Sequence, residues 1–247
     1  MSKIEKKTLG IIGGLGPLAS AHFYKMITEH TKAERDADNL NIIIYSRADT
    51  PDRTAYIMGK SDESPVPALI KSAGTLERAG AEVLAIPCNT LHMFLDEISA
   101  AVSIPVLSMV KLTADFVRAR GCRRAGIMAT DGTLASGIYK RALSERGIEC
   151  VYPDTETQRL IMSVIYDYVK AGRAGGEAIF RKAAEKMLST GCDAVILGCT
   201  ELPLVAYEDD RFIDTLEVLA CEAIKYCGGE PCGFSALLME GCGHEIR

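Results

Sequence analysis

Two of the nine cysteines in this 247-residue chain stand in matching surroundings. Cys88 lies in "AIPCNTLHM" and Cys199 in "ILGCTELPL". Each follows an apolar, strand-like run and precedes polar residues suited to opening a helix. A thiol placed there feels the positive end of a helix dipole and nearby backbone N–H groups, which raise its thiolate fraction. Asn89, Thr90 and Thr200 can cap those helices or donate to a ligand carboxylate. Buried structural cysteines are common, but two at matched strand ends with polar neighbours fit acid/base work better. If the sulfurs face each other across one pocket, a carbon between them can lose a proton to one thiolate. It then gains a proton from the other thiol on the opposite face, which inverts a stereocentre. Two such groups titrate as a coupled pair. An amino-acid α-proton is far less acidic than a free thiol of pKa about 8.5. The pocket must therefore hold fixed donors for the developing charge and exclude water.

The elements that must position these thiols are legible as alternating apolar runs and amphipathic stretches. Strands are predicted at Leu9–Ile12, Ile42–Tyr45, Val83–Ile86, Val106–Leu107, Ala125–Ala129 and Ala194–Leu197. Helices are predicted near 17–34, 65–79, 90–101, 111–120, 134–146, 156–171, 175–190 and 215–226. Strand–helix alternation with buried, β-branched strands implies an α/β fold of parallel sheets covered by helices. Ligands in such folds bind beyond the C-terminal strand ends. A weak internal repeat runs through the chain. "GIIGGLGPLAS" (10–20) aligns with "GIMATDGTLAS" (126–136), with six of eleven positions identical. "GAEVLAIPCNTL" (80–91) aligns with "GCDAVILGCTEL" (191–202), in the same order and at nearly the same offset. Duplication predicts two pseudo-symmetric parallel-sheet domains with the site at their interface. The first spans 1–108 and carries Cys88; the second spans 109–227 and carries Cys199. The last helix is expected to cross back to the first domain, and 228–247 forms a tail.

Composition narrows the function classes. A net charge of −5 without a basic run argues against nucleic acid. No apolar stretch is long enough for a membrane span. The N-terminal "MSKIEKKT" is too polar for a signal peptide, so reduced thiols in the cytoplasm are expected. No C-x-x-C or H-E-x-x-H occurs among the cysteines and four histidines, and no metal site is expected.

Together, "GIIGGLGPLAS", "TPDRTAYI", "PCNT", "ATDGT", "YVKAG" and "GCTE" resemble the pyridoxal-phosphate-independent aspartate racemases of the aspartate/glutamate racemase superfamily. The resemblance covers about residues 8–226 in order. It implies an enzyme that interconverts L- and D-aspartate, or glutamate, without a cofactor, and a homodimer as the usual assembly. It implies Cys88 and Cys199 as the catalytic acid/base pair. It further implies Arg53 and Lys170 as holders of the substrate's side-chain carboxylate. The planar fork of Arg53 suits a bidentate contact, whereas Lys170 at a helix end could instead serve the helix dipole. Asn89, Thr90, Thr130, Thr133 and Thr200 correspond to donors around the α-carboxylate and amino group. Thr130 and Thr133 could equally be helix caps. Glu201 could hold the ammonium, orient a neighbour, or act as an N-terminal helix acid.

Three departures from the family pattern stand out. Arg47 and Asp49 in "YSRADT" bring charge near the site, either altering substrate preference or pairing on the surface. "FIDTLEV" lacks a proline expected before the last helix. The tail holds Cys232, Cys242 and His244 near Cys227, without a recognisable zinc spacing. Rival readings also exist. From Gly14 the first turn reads G-x-G-x-x-A, a dinucleotide fingerprint, and Arg47 could meet a 2′-phosphate. That reading leaves the paired cysteines, the second turn and Arg53 unexplained. Hydantoin racemases, and decarboxylases or isomerases of small dicarboxylates, share the frame. A binding-only protein is the third alternative.

Overall fold

The structure, a computed structural model, describes residues 6–241. Two four-stranded, wholly parallel sheets dominate it. The first contains β1 (Leu9–Gly13), β2 (Ile42–Ser46), β3 (Val83–Ala85) and β4 (Val106–Leu107). The second contains β5 (Arg124–Met128), β6 (Glu149–Val151), β7 (Ala194–Leu197) and β8 (Phe212–Asp214). Their orders match: β2-β1-β3-β4 and β6-β5-β7-β8. Strands β1, β3 and β7 are buried at every residue, which is why they read as unbroken apolar runs. The α/β class and the paired parallel sheets are as predicted, but β6 and β8 were not. Both are three-residue strands; β6 carries an exposed Glu149, and β8 holds only one fully buried residue.

Helices cover the sheets: α1 (Pro17–Glu29), α2 (Arg53–Ile57), α3 (Val66–Arg78), α4 (Leu95–Ala100) and α5 (Met109–Ala119). They continue with α6 (Asp131–Ser136), α7 (Ile138–Ser144), α8 (Thr155–Ser163), α9 (Gly176–Ser189), α10 (Thr215–Tyr226) and α11 (Ala236–Gly241). Three predicted helices are interrupted. Residues 90–94 wind as a tight 3-10 turn before α4. Gly137, at φ +65°, breaks α6 from α7. Beyond α8, Val164–Val169 widens into a π-helix.

The repeat is visible in the packing. A side chain on Gly10 would strike Leu84 and Ala81, and one on its counterpart Gly126 would strike Met187 and Cys192. Ala81 and Cys192 are themselves aligned positions of the repeat. One apolar core joins the halves: Leu9 and Ile11 of the first sheet, Ala125 and Ile127 of the second, and α10 share a continuous cluster. Helix α10 follows the second sheet yet packs on α1 and α5. The chain beyond it stays there. Lys7 N donates to Cys227 O at 3.0 Å, Cys232 N donates to His30 O at 2.8 Å, and the His30 and Phe234 rings stack. Asp214 does the work of the absent proline, accepting from Leu216 N at 2.7 Å to cap α10. No described helix is long and apolar enough to cross a membrane.

Candidate active site

Sheet topology dictates where the thiols meet. In each sheet the chain leaves the first strand toward one edge and the third toward the other, so a crevice opens beyond those strand ends. Cys88 follows β3 and Cys199 follows β7. Both line one cavity between the halves, as do Arg53, Asn89, Thr90, Thr130, Lys170, Thr200 and Glu201. Thr133 sits one bond behind: Thr90, Thr130 and Thr133 form a hydroxyl triangle with sides of 3.2, 2.9 and 3.0 Å. Thr130 also caps α6 by accepting from Thr133 N. Thr130 therefore both caps α6 and lines the cavity.

The free space among these side chains is about 20 Å³, close to one water molecule. An amino acid enters only when the walls part. Arg53 donates to the carbonyls of Leu15, Thr50 and Pro51, while its buried Nε has no partner. An unpaired buried N–H of a guanidinium suits an incoming carboxylate.

The two thiols differ in their neighbours. The Cys199 thiol donates to Glu201 Oε2 at 2.9 Å, and Thr200 Oγ1 donates to the same oxygen at 3.3 Å. Lys170 Nζ lies 3.7 Å from Glu201 Oε1 and 4.8 Å from the Tyr166 ring centre. Burial first, and then the Glu201 charge, push the Cys199 thiol well above its ordinary range. Burial works against the Lys170 charge, but Glu201 and the nearby thiols raise its pKa overall. Behind Cys88 stands neutral His92. Its Nε2 accepts from Met109 N, so Nδ1 carries the proton and donates to Cys88 O, both at 3.0 Å. Burial lowers the His92 pKa and keeps the ring neutral.

Several lining residues escaped the sequence reading: Leu15, Asp52, Thr54, Tyr166 and Gly198. Tyr166 and Lys170 are presented by the π-helix, where Lys170 N reaches back five residues to Ile165 O. Their four-residue spacing was the available signal. His92, four residues after Cys88, carried the same signal.

The glycine turn is spent on the protein itself. Gly14 has φ +89°, and a side chain there would lie 2.4 Å from the Arg47 backbone. Its N–H is taken by Ser20 Oγ at 3.0 Å. At Gly16, the start of α1, the nearest neighbour of an added Cβ is Glu201 Oε1 at 3.6 Å. A protein carboxylate thus lies beside the start of that helix, which disfavours an anionic pyrophosphate there. Arg47 is bound to Asp49 at 2.8 Å and does not line the cavity, so this pair belongs to the surface. Among the described residues no cluster of three or more His, Cys, Asp and Glu suits a metal ion. Cys242 and His244 lie outside the described residues.

Residues 12–223 match the family described as Asp/Glu/hydantoin racemase. The chain belongs to that family. Among solved structures, this racemase-family chain is similar to the Picrophilus torridus aspartate racemase. The two share 32% identity and a TM-score of 0.79, over 92% of this chain and 96% of that one. It is also similar to an aspartate racemase homologue from Pyrococcus horikoshii OT3, at 29% identity and TM-score 0.73, over 90% of this chain and 99% of that one. Among curated proteins it is 27% identical over 220 residues to the broad specificity amino-acid racemase RacX of Bacillus subtilis. That match covers 87% of this chain and 94% of RacX. Family membership supports an isomerase acting as a racemase.

Proposed function

We propose that this racemase interconverts L- and D-aspartate, with glutamate as the alternative acid, by a two-thiol mechanism that needs no cofactor. The observation that carries the reading is that Cys88 and Cys199 follow equivalent strands and line one buried cavity. The hydroxyls of Thr90 and Thr130 meet the α-carboxylate. Arg53, through its unpaired Nε, and Lys170 hold the side-chain carboxylate. Glu201 already accepts the Cys199 proton and faces Lys170; its role is to orient that thiol rather than to bind the ammonium.

The resting acid is then Cys199, held as a thiol by burial and by Glu201. Cys88, as thiolate, takes the α-proton, and the electron pair of the C–H bond passes to Cα and the adjoining carboxylate. Cys199 delivers its proton to the opposite face, leaving Cys88 as thiol and Cys199 as thiolate. The reverse reaction exchanges the roles. Hydroxyl donors and the closed walls supply the fixed, dry environment that the carbanion requires. The assembly we propose is a homodimer, which sedimentation would show at twice the chain mass of 26.7 kDa.

The test is chiral chromatography of both enantiomers of aspartate, glutamate and a neutral amino-acid panel, without added cofactor. Racemisation of the acids is expected, with loss on either Cys88→Ala or Cys199→Ala. Activity confined to neutral substrates would remove the roles of Arg53 and Lys170. Full racemisation by either single variant would remove the two-thiol mechanism.

A further inference from the structure

A buried chain of hydrogen bonds links the strand that carries Cys199 to the residue beside Cys88. It begins at Leu197 O, at the end of β7 and two residues before Cys199. That carbonyl can only accept, and Thr215 Oγ1 donates to it at 3.2 Å. The single hydroxyl proton of Thr215 is thereby spent. Thr215 Oγ1 must therefore accept from Asn89 Nδ2, 3.0 Å away. This fixes the amide: Nδ2 faces Thr215, and Oδ1 faces Tyr139, whose hydroxyl donates to it. Thr215, Tyr139 and Asn89 are at most 2% exposed, so water does not compete for these bonds.

The chain crosses between the halves. Asn89 belongs to the turn after β3, whereas Tyr139 lies on α7 and Thr215 opens α10. The counterpart of Asn89 in the repeat is Thr200, whose hydroxyl turns to Glu201 within its own loop. No matching cross-link is present on that side among the described residues. The Cys88 loop is thus registered against the Cys199 strand by one polar chain.

We propose that Thr215 and Tyr139 are positioning residues that hold the two thiol loops at the separation and angle which two-sided proton transfer requires. Neither lines the cavity; both act through Asn89. The inference rests on the two-thiol reading and adds a requirement to it. A substrate carbon gripped between two acid/base groups tolerates little drift, since displacements of about 1 Å can cost about a hundredfold in rate. A loosened pair fails in a particular way: the thiolate that removes the α-proton, now a thiol, exchanges that proton with solvent and returns a solvent-derived one to the same face, so configuration is retained.

The test uses Thr215→Val and Tyr139→Phe, each close in shape to the original, with racemisation and isotope exchange followed in deuterium oxide. Each variant is expected to lose roughly ten- to a hundredfold in kcat with KM changed by less than about threefold. Deuterium is expected at Cα of the recovered starting enantiomer, at a ratio to inversion several-fold above that of the wild type. Thr215→Ser, which keeps the hydroxyl, is expected to restore both measures. The double variant is expected to lose little more than either single one, because both break one chain. Wild-type kcat and exchange ratio in both variants would overturn the proposal. So would a Thr215→Ser variant as impaired as Thr215→Val, or a loss that tracks only the unfolded fraction seen by circular dichroism. If Thr215→Val does not fold, Tyr139→Phe carries the same outcomes. The two-thiol reading fails separately, if Cys88→Ala or Cys199→Ala still racemises. Dead cysteine variants beside a wild-type-like Thr215→Val and Tyr139→Phe would sink the positioning role alone.

Discussion

The halves share strand order but treat their thiols differently. On the first side, the Cys88 loop is braced by neutral groups: His92 holds the Cys88 carbonyl, and the Thr90 hydroxyl meets Thr130 and Thr133. On the second side, the position equivalent to Thr90 is Glu201, whose carboxylate accepts a hydrogen bond from the Cys199 thiol. Duplicated backbones place both sulfurs at strand ends. At one aligned position Glu201 gives the Cys199 thiol an anionic partner, whereas its counterpart Thr90 bonds the hydroxyls of Thr130 and Thr133. The same contrast runs through the first turns of each half. Gly14 accommodates the Arg47 backbone within its own sheet, whereas its counterpart Thr130 caps a helix and lines the cavity. Symmetric frames can thus hold two thiols in asymmetric surroundings.

The largest effects expected from this comparison concern the glycines. Gly14→Ala forces a Cβ to 2.4 Å from the Arg47 backbone at φ +89°. Urea denaturation is expected to show a loss of about 4 kcal/mol or more. Gly132→Ala meets Thr54 Cα at 2.9 Å, where α6 approaches α2 across the halves. A cost of about 1–3 kcal/mol from overpacking is expected there, together with a larger proportional loss of activity. Equal stability losses in the two variants would break the contrast between a turn serving its own half and one serving the interface.

Next come the cations. Arg53→Leu and Lys170→Met are each expected to lower kcat/KM for aspartate about a hundredfold, near 2.7 kcal/mol, with a smaller effect on neutral substrates. Only Lys170→Met should also displace the pH–rate profile, because Lys170 is electrostatically coupled to both thiols. An identical profile shift in Arg53→Leu would erase that distinction.

Glu201→Gln keeps an acceptor for the Cys199 proton but removes the charge that helps to raise its pKa. Cys199 should then titrate at lower pH, moving the alkaline limb of the profile downward with roughly a tenfold loss in rate. Thr90→Val, the change at the equivalent position, should leave that limb in place. Profiles in which both variants move alike would mean that the two thiols are not differently held.

The smallest effect lies at the caps that open α10 and α5. Burial, and then Glu217, raise Asp214 from 3.8 to about 7. Between those values the folded protein binds more protons than the unfolded chain. Stability contributed by this group is therefore present at low pH and declines as pH rises toward 7. Asp214→Asn, which still caps, should flatten that decline, by at most about 1.4 kcal/mol per pH unit. The counterpart cap Ser108, which accepts from Lys111 N at 3.3 Å, does not titrate, and Ser108→Asn should leave the pH dependence unchanged. Thermal denaturation between pH 5 and 8 reads both.

Much of the fold was legible because buried parallel strands write themselves as apolar runs. Strands that carry an acidic residue do not: β6 opens on Glu149, β8 ends on Asp214 and both are only partly buried, whereas the wholly apolar two-residue β4 was read. Their existence follows from pairing with β5 and β7 rather than from their own residues. The ten candidate residues were singled out through the repeat and the resemblance; nine of them line one cavity, with Thr133 directly behind. Tyr166 and His92 were not singled out, because aromatic and imidazole side chains at helical spacing look like ordinary core. The π-helix that turns Tyr166 and Lys170 toward the cavity leaves no mark in a propensity pattern.

Local residue order by itself determined the strand–turn–helix units, the matched cysteines at their ends and the duplication that pairs them. Those features depend on periodicity, turn chemistry and the end of a helix, all of which act within a few residues. Tertiary structure alone decided which neighbours each thiol meets. Glu201 is two residues from Cys199, but its partner Lys170 is distant in the chain. Asn89 finds Thr215 across 126 residues of sequence. Such bonds exist only once the two halves have packed together and burial has removed water, because a polar group left unpaired there costs more than the bond returns in solvent.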